Sequence, residues 1–78
     1  MGIALPIRTL MPEGAFTPEE AEVLVSTYER VCRTLSIDSA DDPLRTVVAS
    51  KVIFLATQGV IGPEDLYFNA LKLVTENF

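Results

Sequence analysis

The sequence predicts an all-α chain, a three-helix bundle with an extended N-terminal arm, and three observations carry that prediction. Pro18, Pro43 and Pro63 each follow a residue suited to open a helix. The segments behind them place apolar residues at helical rather than alternating spacing. The connections between them are short, which favours antiparallel or sharply angled neighbours.

Residues 1–15 form the arm. Pro6, Pro12 and Gly14 interrupt any helical period, yet Ile3, Leu5, Ile7, Leu10 and Met11 make the segment apolar. A free tail is seldom so apolar, so the arm is expected to lie on a surface.

Residues 16–78 form the helical domain. Helix one is expected from Pro18 to about Ser36. Thr17, Pro18, Glu19 and Glu20 compose a capping box, with Phe16 placed to staple onto the first turn. At 100° per residue, Ala21, Leu24, Val25, Tyr28, Val31, Cys32 and Leu35 share an arc of about 120°. Glu22, Ser26, Glu29, Arg30, Arg33 and Thr34 fill the rest, and Val23 alone is misplaced. Glu29 and Arg33 have the favourable i,i+4 orientation.

Helix two is expected from Pro43 to about Gln58. Asp42 caps it, because proline drives its predecessor out of the α region and a carboxylate there accepts from free amides. Gly59 supplies the left-handed residue that ends it. Val52 to Leu55 would suit a strand by propensity, but the caps and the length decide for a helix. Helix three, about residues 63–77, opens with Gly62, Pro63, Glu64 and Asp65, where the helix dipole favours acids. Leu66, Tyr67, Ala70, Leu71, Leu73, Val74 and Phe78 make its apolar side, opposed by Asp65, Asn69, Lys72 and Glu76.

The chain has 78 residues, 49% of them apolar and 22% charged, which excludes disorder and a disulfide scaffold. At this length apolar burial contributes on the order of 115 kcal/mol, against ordering costs near 117 kcal/mol. A lone copy is therefore marginal, and its apolar surplus suits contact between chains. Six basic residues stand against eleven acidic ones, net −5, with no basic stripe. Nucleic acid and anionic membranes are thus not expected partners. A single cysteine, Cys32, fits a reducing compartment. The N-terminus shows no secretory signal, and Pro6 stands where a myristoylation motif needs Ser or Thr. With no membrane-length apolar run, the expectation is a cytoplasmic protein.

No catalytic, cofactor-binding or metal-binding residue is expected. The chain lacks histidine, the commonest general base and metal ligand. Cys32 falls within the apolar arc of helix one, which reads as a structural thiol without a cationic neighbour on that face. Asp38, Asp41 and Asp42 resemble a calcium loop only superficially, since Pro43 and Ala49 occupy the positions that need Gly and Glu. The turn between Gly59 and Gly62 invites comparison with helix-turn-helix proteins. The helix after it begins with two acids and carries only Lys72, which opposes DNA binding.

The residues that break the pattern are more informative. Leu44, Val48, Ala49, Val52, Ile53, Leu55 and Ala56 already occupy half of helix two, yet Val47 and Phe54 lie on the other half. Phe68 is the corresponding outlier on helix three. Either the arm wraps over Val47 and Phe54, or Val47, Phe54 and Phe68 meet another chain. Aromatics ringed by small polar residues have the character of interface anchors. The expected function is a non-enzymatic interaction module that homodimerises through helix two. The alternatives are a small regulatory or adaptor protein that binds a different protein through the same patch, and a small-ligand-binding domain.

The run Asp42-Pro43, Val48-Ala49, Ile53, Leu55-Ala56, Gly59, Pro63 and Leu66, with Thr17-Pro18-Glu19-Glu20, Tyr28 and Leu35, resembles short all-helical proteins of alphaproteobacteria that form a domain of unknown function. The likeness covers roughly Phe16 to Val74 and rests on caps and core positions. It implies a bacterial cytoplasmic helical domain and carries over no catalytic residue.

Overall fold

Proline at the first helical position has no amide hydrogen to leave unpaired, and all three helices begin with one. A computed structural model describes residue 11 and residues 14–37 and 42–76, and among these it contains three helices and no strand. They are α1 (Pro18–Thr34), α2 (Pro43–Thr57) and α3 (Pro63–Thr75). Residues 1–10, 12 and 13 of the expected arm lie outside the described residues, as do residues 38–41, 77 and 78. Met11 is described, and it packs half-buried against the core.

The expected caps form. The Glu20 amide donates to Thr17 Oγ1 at 3.1 Å, and the Thr17 amide donates to Glu20 Oε1 at 2.9 Å. Asp42 Oδ1 accepts from the Leu44 amide at 2.9 Å. Gly62 caps α3 without a side chain.

Two helix ends repeat one design with different residues. After α2, Gly59 turns left-handed at φ 94°, its amide donating to the Ala56 carbonyl and the Val60 amide to that of Leu55. After α1, Ser36 does the same at φ 57°, with Ser36 donating to Arg33 and Ile37 to Cys32. Both are Schellman motifs, which satisfy otherwise orphaned carbonyls. The left-handed Ser36 stops α1 at Thr34, short of the Ser36 expected from periodicity. The buried Ile37 explains why a non-glycine residue is tolerated there, since its side chain anchors the turn in the core.

Opposite outcomes follow for the two turns. A Cβ in the left-handed region costs about 1–2 kcal/mol. Ser36→Gly is expected to raise the unfolding free energy by about 1 kcal/mol, and Gly59→Ala to lower it by about the same amount. Apart from Gly59 itself and its chain neighbours, no atom lies within 4 Å of a Cβ placed there, so the penalty is purely conformational. Urea titrations of both variants check the pair of signs.

Each helix packs against both others. The core holds Leu24, Tyr28, Val31 and Cys32 from α1, Val48, Ala49, Val52, Leu55 and Ala56 from α2, and Leu66, Ala70 and Val74 from α3. Ala21, Val25 and Leu35 belong to the apolar arc of α1 but are only half-buried, and Leu44 sits at the edge of the core. Val23, outside that arc, packs there too, and Thr27 is buried at 4% exposure. With two neighbours, α1 is covered over a wider arc than one packing partner would require.

Candidate interaction surface

On α2, Val52 marks the centre of the buried side and is fully enclosed. Phe54 stands two residues on, about 200° around the helix, and therefore points away from the core. Its side chain is 54% exposed. Val47 precedes it by seven residues, which returns to nearly the same angle, and is half-buried against the core edge. The two share one stripe along α2. Pro43, Thr46, Ser50 and Thr57 are exposed on that helix, with Gln58 at its end, and none of them is charged. The two cations of α2, Arg45 and Lys51, are half-buried. By contrast, the exposed positions of α1 and α3 include Glu19, Glu22, Glu29, Arg30, Arg33, Glu64, Asp65 and Lys72.

Phe68 stands about 200° from the enclosed Ala70 and is 61% exposed, on the outward side of α3. Its ring meets Tyr67 edge-on, with centroids 5.3 Å apart. Ile61, in the turn between α2 and α3, is a third exposed large apolar side chain. Periodicity could not flag Ile61, because it belongs to no helix.

A polar seam joins α1 to α3. The Arg30 guanidinium lies 4.0 Å from the centre of the Tyr67 ring and donates to Glu64 Oε2 at 2.9 Å. The hydroxyls of Thr34 and Tyr67 are hydrogen-bonded at 2.8 Å. The sequence favours Glu29 with Arg33 within α1, whereas the ion pair among the described residues is Arg30 with Glu64, between helices. Both partners are largely exposed, so the pair orients α3 more than it stabilises it.

Cys32 does have a cationic neighbour, contrary to the reading of α1 alone. Arg45 of α2 lines the same cleft as Cys32, Glu29, Arg33 and Ile37. It donates to the Ile37 carbonyl at 2.9 Å and reaches the Tyr28 hydroxyl at 3.5 Å. Burial nevertheless pushes the Cys32 thiol above its ordinary range, and the field of Arg45 only partly opposes it. The thiol is therefore protonated and unreactive near neutral pH. Burial likewise raises Tyr28, with the Arg45 hydrogen bond opposing. No one-helix pattern could have shown this contact, because Arg45 reaches Tyr28 and Ile37 across the helix packing.

A second groove of about 370 Å³, open to solvent, runs between α1 and the start of α3, with Glu19, Glu22 and Arg30 on its rim. Among the described residues, no group of three or more His, Cys, Asp or Glu side chains could hold a metal ion. No described helix is long and apolar enough to cross a membrane. Comparison with known proteins finds no matching family model, no similar curated protein and no similar solved structure.

Proposed function

We propose that the chain is a non-enzymatic interaction module of the bacterial cytoplasm that pairs with a second copy through the outward face of α2. The exposed Phe54, flanked by the uncharged Ser50 and Thr57 on the outward face of α2, is the observation that carries this reading. Interface centres are depleted of charge and enriched in aromatics, and a ring left in water gains most from enclosure. Phe68 supplies a second, weaker anchor, since one side of its ring already rests on Tyr67. The two grooves are open rather than enclosing, which favours a protein partner over a small ligand.

Light scattering of wild type beside Phe54→Asp and Phe68→Asp tests this. A wild-type dimer is expected, with Phe54→Asp weakening association by more than about tenfold and Phe68→Asp by less. Circular dichroism should show both variants folded, because both rings lie outside the core. A wild-type monomer at high micromolar concentration would remove the homodimer and leave a heterologous partner or the arm as the cover for this face.

A further inference from the structure

We infer that the N-terminal arm of this chain lies extended in the groove between α1 and the start of α3, with Arg8 at the end lined by Glu19 and Glu22. The inference does not depend on pairing through α2, whose outward face it leaves open. The groove lining includes Pro63 and Val23, the one apolar residue of α1 outside its arc. Thr27 lines it too, at 4% exposure, and its hydroxyl has no hydrogen-bond partner among the described residues. No side-chain oxygen there is sealed off without a partner, so this hydroxyl opens onto the groove. A polar group so enclosed calls for a partner. An extended peptide brings one, because its amides and carbonyls are not used up within its own chain, while its apolar side chains cover Val23 and Pro63.

Charge selects which peptide, and which way round. Glu19 and Glu22 are exposed toward the N-terminal end of α1. Arg30, at the other end, is already held by Glu64 and the Tyr67 ring. A segment with one cation is drawn to the acidic end and repelled from the other. Residues 1–10 have that composition, with Ile3, Leu5, Ile7 and Leu10 apolar and Arg8 the single charged side chain. At the period of two of an extended chain, Ile3, Leu5 and Ile7 point to one side and Arg8 to the other.

Connectivity brings the segment to the same end. Thr17, which caps α1, is two residues from Glu19. Before it the chain turns at Gly14, left-handed at φ 76°, and Met11 packs half-buried against the core. Met11 is thus no more than about 20 Å from Thr17, and the chain before it can run back along α1. Arg8 is three residues from Met11, about 10 Å of extended chain. From Glu19 to Arg30 the helix rises about 16 Å, and Ile3 to Ile7 span about 13 Å. The three apolar side chains therefore fit the length of the groove with Arg8 beside the acids.

Limited trypsin digestion of the full chain tests this. Arg8–Thr9 is the one tryptic bond before Arg30, and mass spectrometry follows the release of residues 1–8. Wild type is expected to be cut there at least about tenfold more slowly than a synthetic peptide of residues 1–15. Glu19→Gln combined with Glu22→Gln should speed the cut by about threefold, as expected for the loss of exposed charge contacts. Thr27→Val, which keeps the shape and removes the hydroxyl, should speed it as well, and Phe54→Asp should leave it unchanged. Circular dichroism melts establish that each variant is folded. Cleavage of wild type at the rate of the peptide would overturn the inference, as would protection that the Glu19, Glu22 and Thr27 variants leave intact. Exposure of the bond by Phe54→Asp alone would overturn it by placing the arm on α2. Protection that disappears on dilution would overturn docking within one chain and assign the groove to the arm of a second copy.

Discussion

Leu66→Ala is expected to lower the thermal midpoint by about 15 °C, at a cost of about 3 kcal/mol. Leu66 is fully buried in the first turn of α3, in the core shared by all three helices. Truncation removes three carbon atoms from a close-packed interior, and helices held by caps and short turns can close the void only in part. The effect is large because the whole is small. A 78-residue chain has roughly 4–12 kcal/mol of stability, and near-cancellation of burial and ordering places this one toward the lower end. Leu66→Met, which keeps the volume, should cost less than about 1.5 kcal/mol. Melting curves followed by circular dichroism measure both. A shift under about 5 °C for the alanine variant would mean that Leu66 does not carry the core.

Rising pH above about 9 should destabilise the domain through two buried groups. Burial raises both the Cys32 thiol and the Tyr28 phenol in the folded chain. The unfolded chain releases these protons near the free values, about 8.5 for a thiol and about 10 for a phenol. Above those values the unfolded state holds fewer protons than the folded one, so stability falls as pH rises. The contribution is complete below the free values and is lost as pH climbs toward the raised folded ones. Each group can contribute a slope of up to about 1.4 kcal/mol per pH unit. The urea midpoint is therefore expected to be flat from neutral pH to about 8, to bend near 9 and to steepen past 10. Cys32→Ala should remove the first bend and Tyr28→Phe the second. A wild-type midpoint unchanged up to pH 11 would contradict the burial of both groups.

Much of this fold was legible because it is written locally. The Thr17 capping box, the Asp42 cap, the three prolines and Gly59 act within one turn of the residues that encode them, and each helix starts where they place it. Cys32, Tyr28, Val31 and Leu24 could be assigned to the core from periodicity, since a helix repeats its direction every 3.6 residues. The stop of α1 was less legible. Ser36 carries no sign of a left-handed residue, and the turn is held by Ile37 entering the core, a tertiary contact.

The candidate surface divides along the same line. That Val47, Phe54 and Phe68 fall off their apolar arcs is a property of the sequence. That Phe54 and Phe68 are exposed, that Val47 is half-buried, and that every exposed position of α2 is uncharged required the packed helices. Arg45 shows the difference most clearly. Its place on α2 is read from the chain, while its hydrogen bonds to Tyr28 and to the Ile37 carbonyl depend on how α2 lies against α1.

The sequence by itself determined an acidic all-helical chain, its three helix starts and the stripe that forms most of its core. The tertiary structure alone decided that Arg30 pairs with Glu64, that Arg45 stands beside Cys32, and that Phe54 and Phe68 face solvent. The reason is physical. Caps and periodicity act over a few residues, whereas side-chain partners and burial depend on which helix faces which, and that is settled only when three amphipathic surfaces are packed together.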